Sequence, residues 1–233
     1  MNTTLKVTKY QLYGFYKAVL VFYAIIFAVS LGATALSLKA SERVTFGGLG
    51  TATIIFISIA GMDCFKTSFM FMTANNVTRR RFYHGTLIAL VALAAFMALV
   101  DTALNGILSS MFRYESLLEQ LYGFSNYPAE YLWSFGLYAF AGCLGWLITM
   151  VYYRISGPLR IIVLVVPFIM GIPIGYMVRR TGGALGRAVV GFLDGVMGIT
   201  AGNPYIGAFS FFVSAAVVLL FCFLLIRRAP IKD

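Results

Sequence analysis

Long apolar runs broken by short polar segments dominate the chain, at approximately Ala18 to Leu38, Phe46 to Met62, Phe82 to Ile107, Tyr131 to Tyr153, Arg160 to Val178 and Tyr205 to Ile226. Each is close to the ~20 residues a helix needs to cross a hydrocarbon core of about 30 Å. The second run is short and extends naturally through Cys64 and Phe65. The runs lack the dyad alternation of a transmembrane barrel, so the pattern predicts helices, which satisfy their backbone hydrogen bonds internally. The expected fold is an all-α integral membrane protein with six spans in a single domain, residues 1–233.

Two segments do not fit the simple alternation. Residues 1–17 interleave Lys6, Lys9 and Lys17 with Leu5, Leu12 and Phe15, which lie roughly opposite the lysines on a helix. The segment reads as an amphipathic interfacial helix, or else as a solvated basic tail that orients the first span, and not as a cleavable signal peptide. Residues 183–202 carry Gly191, Asp194, Gly195, Gly198 and Gly202 among apolar residues. We read residues 179–204 as an extracellular or re-entrant segment before the last span, in preference to a seventh crossing.

Composition supports the membrane class: 61% of residues are hydrophobic and 11% charged, with mean hydropathy +0.88. Soluble domains carry roughly 25% charged residues. With the N-terminus cytoplasmic, Lys39, Arg43, Arg113, Arg179, Arg180 and Arg187 fall outside and the other 12 of the 18 basic residues inside. That is the asymmetry the positive-inside rule requires, and it puts both termini in the cytoplasm. The net charge of +10 is thus a topology signal, and no soluble basic face is available for nucleic acid. Cys64, Cys143 and Cys222 show neither metal-ligand spacing nor a disulfide framework and read as small hydrophobes.

Catalytic and nucleotide motifs are missing. Gly182 to Arg187 has glycines but not the Lys-Ser/Thr of a phosphate loop, and no zinc-protease motif or nucleophile elbow occurs. No metal or cofactor is expected in this chain. His84, the one histidine, reads as interfacial. Asp63 and Asp101 are the candidate intramembrane acids, and both are expected near span ends, where water lowers the cost of a charge.

The stretch from Phe71 to Leu87 places Arg79, Arg80 and Arg81 at the start of the third span. Cations there oppose the helix macrodipole by about 0.3–1 kcal/mol each. Anionic headgroups compensate at about 1 kcal/mol per basic residue; acidic groups on a bound protein are the alternative, and topological anchoring alone is a third account. Phe65, Phe69 and Met72 follow helical spacing and form one face able to enter a partner's groove. Thr73 to Asn76 favours a turn or an N-cap.

Taken together, the basic amphipathic start from Thr4 to Lys17, the six spans, the cytoplasmic turn with Asn-Asn-Val-Thr-Arg-Arg-Arg-Phe at 75–82 and the Gly-rich segment before the last span resemble the ABC-2 type permeases of ABC transporters. The resemblance covers nearly the whole chain. It implies that residues 63–82 form a coupling turn contacting an ATP-binding cassette subunit through Phe65, Lys66, Phe69, Asn75, Asn76, Arg79, Arg80, Arg81 and Phe82. It also implies a second permease copy or a related permease, ATP and Mg bound by the partner subunit rather than by this chain, and no enzymatic activity of its own.

Small residues at Ala141/Gly145 and Gly171/Gly175, with Pro167 and Pro173, permit close helix approach and kinks. They suit a moving translocation path and are also common in membrane helices generally. The 21 Phe and 14 Tyr residues suit an amphipathic substrate such as a peptide, lipid or hydrophobic drug, although interfacial aromatic belts explain many of them. The expected role is therefore export across a bacterial plasma membrane, powered by a separate ATPase. A secondary carrier, or a membrane protein that recruits a cytosolic partner for assembly or sensing, are the alternatives.

Overall fold

A computed structural model describes residues 3–37, 48–111, 114–124, 126–155 and 184–227. Among them the chain forms eight helices: α1 (Thr3–Ser37), α2 (Leu49–Asp63), α3 (Lys66–Ala74), α4 (Arg79–Met111), α5 (Leu117–Tyr122), α6 (Tyr127–Arg154), α7 (Ala184–Met197) and α8 (Pro204–Arg227). Five stretches are long and apolar enough to cross a membrane: Thr3–Val29, Leu49–Ala74, Arg79–Ser110, Tyr127–Arg154 and Pro204–Arg227. The expected fifth span, with Pro167, Pro173, Gly171 and Gly175, lies outside the described residues.

The N-terminal segment differs from expectation. Residues 4–17 and the first apolar run form one unbroken helix, because nothing between Thr3 and Ser37 stops it: proline is absent and Gly14 is tolerated mid-helix. At about 1.5 Å per residue, its 35 residues reach some 52 Å, well beyond a hydrocarbon core. Its first half packs on α4 through Val7, Thr8, Gln11 and Phe15, all buried, while Leu5 is exposed. Thr8 Oγ1 donates to the Gly85 carbonyl (3.0 Å) and Gln11 Nε2 to the Cys64 carbonyl (3.0 Å).

The second run extends through Cys64 and Phe65, within the apolar stretch Leu49–Ala74, but not as a single helix. Gly48, at φ 131°, leads into α2, and a turn at Cys64 and Phe65 separates α2 from α3. Helix α3 closes in a Schellman motif: the Asn76 N–H donates to the Thr73 carbonyl (3.0 Å) and the Val77 N–H to that of Met72 (3.0 Å). Asn76 adopts φ 60°, which asparagine tolerates better than most residues. The Thr73–Asn76 segment is thus a C-cap, not an N-cap.

Contacts fix the directions of the helices. Thr8 meets Gly85 and Tyr23 meets Asp101, so α1 and α4 run parallel. Asp101 meets Tyr138 and Asn105 meets Glu130, so α6 runs against α4. Helices α2 and α8 both run alongside α6 in its direction: Gly50 faces Tyr138 and Gly61 faces Gly142 across one interface, while across the other Gly136 meets Ala208 and Tyr83 packs against both Trp146 and Phe223. One end of the bundle therefore gathers Thr3, Arg79, Arg154 and Arg227, and we call it the basic end. The opposite end holds α5 and the α7–α8 turn, where the Tyr122 hydroxyl donates to the Met197 carbonyl (2.7 Å).

Glycines set the α2–α6 spacing. A Cβ at Gly61 would collide with the Gly142 carbonyl oxygen, and one at Gly145 with that of Ser58. The close approach expected at Gly145 is made here, backbone against backbone, with Gly142 rather than Ala141 as the second small residue on α6. The 14 described residues of α7 reach about 21 Å, less than the thickness of a bilayer core. Cys64, Cys143 and Cys222 are all buried free thiols, packed as small apolar groups.

Candidate functional site

At the basic end, α3 and the first turn of α4 divide the residues singled out by sequence into two sets. Phe65, Phe69, Met72 and Phe82 are buried in the chain's own core. Phe65 stacks on Phe69 at 5.0 Å, Tyr153 meets the edge of Phe65 at 5.4 Å, and Phe82 meets Phe69 at 5.4 Å. The helical face read from their spacing is real, but it is turned inward, so these side chains hold the turn in place and are not free to enter a groove. Asn75, Asn76, Arg80 and Arg81 are exposed. Lys66 begins α3, and its side chain lies outside the described residues. Met70 and Phe71, not singled out from sequence, are 40% and 50% exposed and form the outer side of α3. Phe71 stacks on Tyr10 of α1 at 5.4 Å.

The arginines also separate. Arg79 Nη1 donates to the Arg227 carbonyl (3.1 Å), at the C-terminal end of α8. A cation that opposes the dipole of its own helix here satisfies a free carbonyl and the negative dipole end of another. Arg81 Nη1 reaches Thr3 Oγ1 at 3.4 Å, a long contact at the start of α1. Arg80 points out beside a cleft of about 330 Å³ that Thr78, Arg79, Phe223, Ile226 and Arg227 also line. His84 is exposed one turn further on.

The other end holds an arrangement that sequence reading missed. Asp101, expected near a span end in contact with water, is only 1% exposed. Its two oxygens accept hydrogen bonds from Tyr23 of α1 (2.8 Å) and Tyr138 of α6 (2.6 Å). Fully buried Thr53 of α2 lies beside this group and donates to the Leu49 carbonyl (3.2 Å). One helical turn along α4, Asn105 Nδ2 donates to Glu130 Oε1 of α6 at 2.7 Å, and Glu130 is 2% exposed. Asn105 Oδ1 is buried with no partner among the described residues. Ser116, the N-cap of α5, accepts the Glu119 N–H (3.2 Å) and lies close to Glu130. Burial, and then the charges of Asp101 and Glu130, hold the nearby Tyr114 phenol above its ordinary range. Asp101 and Asn105 at i, i+4 were a signal in the sequence, but only the packing of α1, α2 and α6 around them removes water. Asp63, the other candidate acid, is exposed.

Comparison with family models, with curated proteins and with solved structures returned no match. The chemistry of the two ends therefore carries the functional reading by itself.

Proposed function

We propose that the chain is the membrane-spanning permease subunit of an ATP-binding cassette exporter of the ABC-2 type, one half of a translocation path for an amphipathic substrate. In this reading it sits in a bacterial plasma membrane with the basic end cytoplasmic and both termini on that side. It has six spans, the fifth between α6 and α7. The parallel course of α6 and α8 supports that count, since α6 finishes at the basic end and α8, which follows the α7 turn at the other end, returns to the basic end at Arg227. A second copy or a related permease completes the path, and a separate subunit binds ATP and Mg.

The observation that carries this reading is the build of the α3–α4 turn. A small outward patch of Met70, Phe71, Asn75, Asn76, Arg80 and Arg81 stands on a base of Phe65, Phe69, Met72 and Phe82 locked into the core. Force applied by a partner to such a patch passes directly into α2 and α4, as a coupling element requires. The residues meeting the ATPase are then the outward set, and the buried aromatics transmit.

The test is gentle detergent extraction from the native membrane, identification of co-purifying chains and an ATP-hydrolysis assay. A stoichiometric ATP-binding chain, lost from a Phe71→Ala, Arg80→Ala, Arg81→Ala variant that still folds, is the expected result. An ATPase-free preparation, reproduced after crosslinking within the membrane, overturns it. A second reading, an ion-coupled carrier, is favoured by the buried carboxylates Asp101 and Glu130, because ionisable groups shielded inside spans commonly mark ion paths. It predicts transport that persists without ATP.

A further inference from the structure

We propose that Glu130 and Asn105 form a binding site for a monovalent, sodium-class cation, with Asp101 as a second negative charge one helical turn away. The site stands whichever source of energy drives the chain, since it depends only on the packing of α4 against α6.

Three features point to a cation. Glu130 is 2% exposed, and its described partners are neutral: the Asn105 amide at 2.7 Å and the neighbouring Ser116. Among the described residues no cationic side chain meets it, only the positive end of α6, in whose first turn it lies; a buried carboxylate is costly without a full countercharge, and a bound cation supplies one. The Asn105 amide is itself 7% exposed, with Nδ2 on Glu130 and Oδ1 left without a partner, so a buried acceptor on the same group is open at this spot. An orphaned buried acceptor calls for a donor or a positive ion. Finally, the nearby ligand atoms are all oxygens, from carboxylate, amide and hydroxyl, which suits a hard cation rather than a soft metal.

The charge count selects a monovalent ion. Both Asp101 oxygens are already occupied by the Tyr23 and Tyr138 hydroxyls, at 2.8 and 2.6 Å. That leaves one carboxylate and one neutral amide oxygen as the open ligands. Calcium takes six to eight oxygens and magnesium a rigid octahedron, usually with several carboxylates or waters. Asp101 then acts through its field, and its phenol partners keep it out of the ion's immediate shell.

The experiment is thermal unfolding of the purified full chain across a sodium chloride series, with choline chloride holding ionic strength constant. A bound ion raises the midpoint by roughly 3–5 °C for each tenfold increase in sodium above the dissociation constant. The response should vanish in Glu130→Gln and in Asn105→Leu. A wild-type midpoint flat in sodium overturns the proposal outright. So does a midpoint that moves with pH but not with sodium, which would assign the charge to a proton. A sodium response that survives in folded Glu130→Gln places the ion elsewhere and overturns it too. Should one variant not fold, the other decides the location, and a wild-type midpoint flat in sodium overturns the proposal in either case.

Discussion

Asp101 shows what a carboxylate inside a membrane-spanning helix needs: groups that replace the water it has lost. Tyr23 and Tyr138 supply one hydrogen bond to each oxygen, from two different helices. Removing the Tyr138 hydroxyl leaves a buried charged acceptor short of a donor, a loss of about 1.5–3 kcal/mol. Tyr138→Phe should therefore lower the unfolding midpoint more than Tyr23→Phe, because Tyr138 is 2% exposed whereas Tyr23 is only partly buried and water can take its place. Equal shifts would mean that water does not distinguish the two sites. Asp63 and Asp101 looked equivalent in the sequence, both near the end of an apolar run. Hydropathy along one strand of sequence reports how far a residue lies from a run's end, and says nothing of the neighbouring helices that shield one acid and leave the other exposed. The same holds for Gly145, whose spacing from Ala141 was legible while its partner, the Ser58 carbonyl, was not. Gly145→Ala should destabilise the chain by about 1–3 kcal/mol through overpacking, read as a lowered denaturation midpoint. An unchanged midpoint would show that α2 and α6 can move apart freely.

Among the elements, the α3–α4 turn joins two functions that the arginine run concealed. Arg79 serves structure, tying the start of α4 to the end of α8, whereas Arg80 and Arg81 face outward. Arg79→Ala should loosen the last turn of α8 by about 0.3–1 kcal/mol, seen as faster amide exchange near Phe223 to Arg227. In the proposed reading, Arg80→Ala with Arg81→Ala should leave that exchange unchanged and weaken association with the ATP-binding subunit. If the two variants behave alike in both assays, the division fails. Helical spacing made the Phe65, Phe69 and Met72 face visible, yet a periodic stripe cannot tell whether it meets its own chain or another. The core contacts with Phe82 and Tyr153 settle that for this chain. The break between the amphipathic start and the first span was placed by a change in charge density, which a helix does not obey when backbone geometry allows it to continue.

Over the whole molecule, the alternation of apolar runs was the most legible property, because the length of a run follows directly from the thickness it has to cross. Helix directions then put residues 75 and 120 at opposite ends. Since Cys64, Cys143 and Cys222 are buried, single cysteines can be introduced into the natural chain without removing them. With the basic end cytoplasmic, as proposed, Asn75→Cys should react with a membrane-impermeant maleimide only in inside-out vesicles, and Gln120→Cys only in right-side-out ones. Labelling of both from one side would break the arrangement.

The packing of α8 along α6 also bears on how the protein is made. Trp133 and Gly136 find their partners in Phe211 and Ala208, and Cys222 and Ile226 fill the core, so the bundle is complete only once the ribosome has delivered α8. Until then α6 presents one flank to lipid or to whatever chaperone waits at the insertion machinery. A chain stalled before Pro204 would leave Trp133 and Gly136 without the neighbours that cover them in the finished bundle.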